Sequence, residues 1–236
     1  MSKRFNFKQF SVDMGKCGMP VSTDGVLLGA WADASGCHNL LDIGCGTGLL
    51  SLMLAQRFPG TKISAIDIDK TAVQTTRDNA LQSLWADRIN VLAIDVTAWE
   101  PEQYFDHIVC NPPYFTSGIQ ASSAQRATAR HHDALSHLAL VNAIEKLLSP
   151  AGSASLILPV YEGENLIELA SGAGLTCRQK ALVKSTPAKP ASRLLIRLQK
   201  GMAEDFQPET TELVIQDSGK YTPEFIALTR DFYLKM

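Results

Sequence analysis

Between residues 40 and 57 an apolar run halts at three glycines set two apart, and a longer amphipathic stretch follows. Leu40-Leu41-Asp42-Ile43 reads as a buried strand and Gly44-Cys45-Gly46-Thr47-Gly48 as a tight loop. Residues 49–57 read as a helix that Pro59-Gly60 ends. A strand that passes into a helix through so short a loop belongs to a parallel β-α-β unit. The alternation recurs: strands are expected at 62–66, 89–93, 107–110 and 153–158, and helices at 71–83 and 139–148, the last closed by Ser149-Pro150-Ala151-Gly152. Strands and helices alternating at this spacing predict a mostly parallel sheet with helices on both faces.

The pattern then changes. A short helix is expected at 165–170. Two extended segments, 176–185 and 192–200, are joined by Thr186-Pro187-Ala188-Lys189-Pro190, which predicts an antiparallel hairpin with a mobile loop. A polar stretch at 201–211 leads to Leu213-Val214-Ile215, a turn at Asp217-Ser218-Gly219 and a final helix at 223–234. The expected organisation is one α/β domain over 1–236. Residues 1–38 form an N-terminal segment, 39–200 the core and 201–236 the tail.

Composition narrows the class. The net charge of the 236-residue chain is −2, so any nucleic acid must be bound by a local basic surface. The five cysteines include no C-x-x-C pair and no histidines at zinc-ligand spacing, so neither a disulfide framework nor a metal site is expected. No apolar run approaches the roughly 20 residues that span a bilayer. No membrane association and a cytoplasmic location are expected.

Three acids stand at the ends of successive expected strands. Asp42 precedes the glycine loop. A carboxylate there repels a pyrophosphate but suits a cation, such as the ammonium and sulfonium of S-adenosylmethionine. Asp67 is placed to accept from two ribose hydroxyls, and Asp95 from an adenine amino group. Gly44, Gly46 and Gly48, together with Ile68 and Val96 beside the two later acids, complete the expected cofactor wall.

The motif that bears on chemistry is Asn111-Pro112-Pro113-Tyr114, directly after the strand Ile108-Val109-Cys110. Consecutive prolines stiffen the backbone and remove two N–H donors. The Pro112 carbonyl and the Asn111 side chain are then two acceptors able to converge on one planar NH₂ group. Tyr114 offers a ring on which a base can stack, an interaction worth roughly 1–3 kcal/mol.

These two motifs resemble those of the class I amino-methyltransferases, which act on adenine, guanine or glutamine nitrogens. The block 21–31 (Val-Ser-Thr-Asp-Gly-Val-Leu-Leu-Gly-Ala-Trp) and the end from Tyr221-Thr222-Pro223 through Asp231-Phe232-Tyr233-Leu234 resemble a narrower family. Its members are bacterial tRNA adenine-N6 methyltransferases that modify the purine following the anticodon of a valine tRNA. The resemblance covers nearly the whole chain. It implies a Rossmann-like fold with a mostly parallel seven-stranded sheet ending in an antiparallel hairpin, S-adenosylmethionine as cofactor, tRNA as substrate, and a monomer. It also implies that the segment holding Thr23 and Asp24 lies over the methionine end of the cofactor; read as residues alone, either one is equally an N-cap.

Residues 177–200 carry Arg178, Lys180, Lys184, Lys189, Arg193, Arg197 and Lys200 and no acid. Such a hairpin suits a phosphate backbone, with Lys184, Lys189 and Arg193 as candidate contacts. It also suits a solvated basic face. Arg126, Arg130, His131 and His132 follow the Asn-Pro-Pro-Tyr loop, and Arg130 is a further candidate RNA contact; His137 is expected to be structural. Two related activities stay open: guanine-N2 methylation of rRNA and N5 methylation of protein glutamine. About 40 residues precede the glycine strand, which leaves little room for the extra helical domain of release-factor enzymes.

Overall fold

The computed structural model describes residues 4–15, 21–113, 135–201 and 206–235. A small antiparallel hairpin, β1 (Arg4–Asn6) and β2 (Ser11–Asp13), precedes α1 (Thr23–Trp31). Then come β3 (Asn39–Ile43), α2 (Leu49–Arg57), β4 (Lys62–Asp67), α3 (Lys70–Leu81), β5 (Ile89–Ala93) and β6 (Phe105–Cys110). Next are α4 (His137–Leu147), β7 (Leu148–Pro159), α5 (Val160–Gly172), β8 (Leu175–Lys184) and β9 (Arg193–Lys200). The tail holds β10 (Glu209–Val214), the short pair β11 (Gln216–Asp217) and β12 (Lys220–Tyr221), and α6 (Pro223–Thr229).

The main sheet runs β10-β8-β9-β7-β6-β3-β4-β5. Strands β3 to β7 are mutually parallel, and β9 is antiparallel to both neighbours. The order reverses between β3 and β6, the place where open α/β sheets bind ligands beyond their strand carboxyl ends.

The expected class is the one found, with one strand more than expected. The eighth, β10, pairs parallel with β8 from Glu209↔Gln179 to Val214↔Lys184. Its sequence, Glu-Thr-Thr-Glu-Leu-Val, buries only Leu213, because an edge strand needs backbone partners more than an apolar face. The stretch therefore looked like a polar linker. The turn expected at 149–152 is the irregular opening of β7, with Ala151 at φ 62°. Helix α5 begins five residues before its expected start, at Val160, and α6 ends at Thr229 rather than Leu234.

Both sheet faces are covered, so the strands alternate between two cores. Leu40, Val109, Ile157 and Leu195 pack under α1, α2, α3 and α6. Leu41, Ile43, Ile108 and Leu156 pack under α4 and α5. A continuous apolar run is what such two-sided burial demands. Helix α1 lies close on α2: a Cβ at Gly25 would sit 2.9 Å from Leu49 Cδ2, and one at Gly29 2.6 Å from Met53 Sδ. Arg57 fastens the far end of α1 by donating to the carbonyls of Gly29 and Ala32. The N-terminal hairpin is held by the tail. Lys8 N donates to the Phe232 carbonyl at 2.8 Å, and the Phe7 and Tyr233 ring centroids are 6.0 Å apart.

Candidate active site

A cavity of about 810 Å³ opens at the carboxyl ends of β3, β4, β5 and β6. Its walls come from the start of α1 (Ser22, Gly25), the glycine loop (Gly44 to Thr47), the ends of β4 and β5, and the start of α4 (Leu135, Ser136, Ala139). Asn111, Pro112 and Pro113 line it where β6 ends. Cofactor-type and amine-type motifs, separate in the chain, thus open on one space.

The glycine loop is left-handed at all three glycines, with φ of 73°, 56° and 79° at Gly44, Gly46 and Gly48. A side chain would be strained there. Gly44 is open to the cavity, while Gly46 N donates to Asp67 Oδ2 at 3.0 Å. Gly48 does not line the cavity. It is the N-cap of α2, and a Cβ there would meet Thr76 Cγ2 at 2.9 Å. From beneath, Thr76 Oγ1 donates to the Gly46 carbonyl at 3.0 Å and Asn79 Nδ2 to the Thr47 carbonyl at 2.9 Å.

Asp67 joins the loop to the next turn, since its Oδ1 accepts from Asp69 N at 2.9 Å. Ile68, 62% exposed, and Val96 line the cavity beside Asp67 and Asp95. Asp95 Oδ1 accepts from Thr97 Oγ1 at 2.7 Å and from Thr97 N at 2.9 Å. These bonds hold its carboxyl below the usual carboxylate range. Its Oδ2 makes no hydrogen bond among the described residues.

Asp42 is placed otherwise than expected. Period-two alternation turns Leu41 and Ile43 to one face and Asp42 to the other, beneath α2. There its Oδ2 accepts from Ser51 Oγ at 2.6 Å and from Ser51 N at 3.1 Å, and Oδ1 has no partner among the described residues. Full burial pushes its pKa up to about 7. It lies under the loop and does not line the cavity.

Thr23 is also off the cavity: it is exposed, and the lining residues of that turn are Ser22 and Gly25. The N-cap is Ser22, whose Oγ accepts from Gly25 N at 3.1 Å. Both were missed by sequence reasoning, although Ser before Thr-Asp-Gly is an ordinary N-cap signal. Tyr114 and Arg130, with Arg126, His131 and His132, lie outside the described residues. His137 opens α4, its Nδ1 3.8 Å from Glu162 Oε2.

The basic hairpin is largely neutralised by acids from elsewhere in the chain. Lys180 meets Glu164 at 2.9 Å, Lys184 meets Glu212 at 2.7 Å and Arg193 meets Asp24 at 2.7 Å. Arg197 meets Asp33 at 3.4 Å and Lys200 meets Glu145 at 2.9 Å. Arg178 lies over the Phe206 ring at 5.8 Å, near the start of β8 and far along the strand from its carboxyl end. Lys184 and Arg193 are therefore engaged within the molecule. Lys189 is exposed and makes no ion pair among the described residues. Its loop, fastened by Lys189 N to the Thr186 carbonyl at 3.1 Å and Ser192 N to the Val183 carbonyl at 2.9 Å, stands on the same sheet edge as Asn111. Tyr161, 70% exposed, is on that edge too, just beyond β7.

No group of three histidine, cysteine or acidic side chains stands ready for a metal among the described residues, and no described helix is long and apolar enough to cross a membrane.

The sheet order, the left-handed glycine loop and the shared cavity define a Rossmann-like methyltransferase. The family model described as the methyltransferase small domain matches residues 25–140. Among solved structures, a predicted O-methyltransferase from Agrobacterium tumefaciens superposes with a TM-score of 0.67 at 21% identity, covering 89% of this chain and 96% of that one. N-methyltransferase NodS from Bradyrhizobium japonicum, solved with S-adenosyl-L-homocysteine, superposes at 0.52 with 18% identity, over 75% of this chain and 84% of that one. Both likenesses concern the fold. The chain belongs to the family of tRNA1(Val) (adenine(37)-N6)-methyltransferases. It is 50% identical over 236 residues to the member from Vibrio cholerae, covering all of this chain and 97% of the relative. It is also 50% identical over 241 residues to that from Photobacterium profundum, covering all of both.

Proposed function

We propose that this chain transfers the methyl group of S-adenosylmethionine to N6 of adenine 37, next to the anticodon, in a valine tRNA. The observation that carries the reading is that Asn111 and Pro112 open on the same cavity as Asp67, Ile68, Asp95 and Val96. When bound, the cofactor supplies an electrophilic methyl on a good leaving group. The cavity residues fit it. In this reading the Asp67 carboxylate accepts from the ribose hydroxyls, Asp95 Oδ2 accepts from the adenine amino group, and Ile68 and Val96 cover the faces of the base.

Asn111 and the Pro112 carbonyl accept the two hydrogens of the target amine. The exocyclic nitrogen of adenine is a weak nucleophile because its lone pair is delocalised into the ring. Accepting both hydrogens directs that lone pair at the methyl carbon. Orientation and exclusion of water then supply much of the acceleration without a strong base. The N6 proton leaves to solvent after transfer. One N6 hydrogen is engaged in a base pair, so the target must be unpaired or flipped out, which an anticodon loop satisfies at low cost. Lys189 and Tyr161 flank the path with a charge for phosphate and a ring for a neighbouring base. Tyr114 is proposed as the stacking partner of the target. The reading places one chain on one tRNA in the cytoplasm.

The test is nucleoside mass spectrometry of valine tRNA and rRNA after incubation with the protein and labelled S-adenosylmethionine. Label in N6-methyladenosine, lost when adenine 37 is replaced by guanine, is the expected result. Label in rRNA N2-methylguanosine, or in a glutamine peptide with none in tRNA, overturns it.

A further inference from the structure

We infer that Asp24 and Arg193 are positioning residues for methyl transfer, their ion pair setting the first turn of α1 against the cofactor cavity and Asn111. The inference rests on reading the cavity as the S-adenosylmethionine site. Arg193 Nε donates to Asp24 Oδ2 at 2.7 Å across 169 residues of sequence. The side chains are only 31% and 18% exposed, so solvent screens the pair weakly.

Each end of the pair has a defined support. Arg193 is the first residue of β9 and is paired across the sheet with Pro159 on one side and Val183 on the other. A second group of its guanidinium, Nη1, donates to the Ser192 carbonyl at 2.9 Å. Asp24 stands between Ser22 and Gly25, both cavity-lining residues. The turn reaches the reacting side as well, since a Cβ at Gly25 would lie 4.0 Å from Asn111 Nδ2.

Within α1 that first turn is held by the Ser22 cap and by its packing on Leu49. The Asp24–Arg193 pair adds a tie from the turn to the sheet on the side of the hairpin. Asp24 itself does not line the cavity but is flanked by Ser22 and Gly25, which do, whereas Lys180 and Glu164, on the same hairpin side, have no lining residue beside them. The arrangement also reassigns Arg193, from holding RNA phosphate to holding the wall of the cofactor site.

The test compares Arg193→Gln, the near-isosteric Asp24→Asn, their double variant and Lys180→Gln. Cofactor affinity is measured by calorimetry without RNA, kcat and KM with valine tRNA, and thermal stability alongside. Loosening the turn is expected to weaken S-adenosylmethionine binding about tenfold and lower kcat several-fold, less than the roughly 10²-fold that a misplacement of about 1 Å can cost. The tRNA KM should stay within about twofold. The double variant should lose no more than either single one, because the pair acts as a unit. Lys180→Gln should change neither cofactor affinity nor kcat. A raised tRNA KM with unchanged cofactor affinity in Arg193→Gln would make Arg193 an RNA contact and overturn the inference. Lower melting temperatures with kcat and cofactor affinity unchanged would reduce the pair to a structural one and overturn it equally. If the unmodified protein binds no S-adenosylmethionine, the reading of the cavity itself has failed, and that outcome is visible before any variant is made.

Discussion

The two wings of the sheet use charge in opposite ways. On the β3-β4-β5 wing, the acids at the strand ends meet backbone N–H groups and hydroxyls. Asp67 and Asp95 form no ion pair among the described residues, and both line the cavity. On the β7-β9-β8 wing, five of the seven basic residues between 177 and 200 are matched by acids brought in from distant parts of the chain. Segregation of charge along a sequence is therefore not segregation in space. The unpaired acids at these strand ends line the cavity, while none of the basic residues between 177 and 200 does.

The largest expected effect tests the line where the wings meet. Asn111→Ala should lower kcat about 10²–10³-fold, the usual loss for one aligned hydrogen-bonding group in an active site. Cofactor affinity should change little. Wild-type turnover in this variant would make the Asn-Pro-Pro motif a plain turn. Asp67→Ala comes next. Each charge-assisted hydrogen bond it makes is worth roughly 1.5–3 kcal/mol, so cofactor affinity should fall about 10–100-fold by calorimetry. Part of that loss comes through Gly46, whose N–H Asp67 holds. Unchanged affinity would show that the unpaired acids of this wing do not mark the ligand.

A third effect is thermodynamic. Asp42 has a pKa of about 7 in the folded chain against its ordinary 3.8, so its neutral form stabilises the fold at low pH and that stability is lost as pH rises towards 7. The gap in unfolding free energy between the parent and Asp42→Asn should thus widen, in favour of the parent, as pH falls from 7 to 4. The steepest slope is about 1.4 kcal/mol per pH unit. His107, equally buried and pushed down to about 3 from 6.5, acts with the opposite sign, losing stability as pH falls from 6.5 to 3. Denaturant titrations across that range check both. A flat difference would mean that Asp42 is ionised in the fold.

The smallest effect separates a paired from an unpaired lysine. Lys189→Gln should raise the tRNA KM about threefold and reduce the log–log salt slope by about one. Lys184→Gln, whose lysine is held by Glu212, should leave both unchanged. Equal effects would restore the whole hairpin as an RNA surface.

Local signals carried the strands and helices of the core, because two-sided burial writes long apolar runs and glycines punctuate them. The edge strand β10 was illegible, since its support is the backbone of β8 rather than its own side chains. At the site, Asp67, Asp95, Asn111 and Pro112 were legible from their places at strand ends. Asp42 was misread because strand parity decides which face an acid meets, and α2 offered Ser51 on that face. The ion pairs of Lys184 and Arg193 were illegible for a different reason. Their partners, Glu212 and Asp24, are near only after the chain has folded.

The fastening of the N-terminal hairpin to the tail also orders events during synthesis. Helix α1, a wall of the cavity, packs against α6, and Lys8 bonds Phe232, more than 220 residues later. A chain still emerging from the ribosome can pair much of its sheet, since the mutually parallel strands β3 to β7 are complete by Pro159. The wall finds α2 early, through Gly25 on Leu49 and Gly29 on Met53, but its second support, α6, is made much later. The wall therefore gains this second support only after α6 has been made, once the core strands can already have paired.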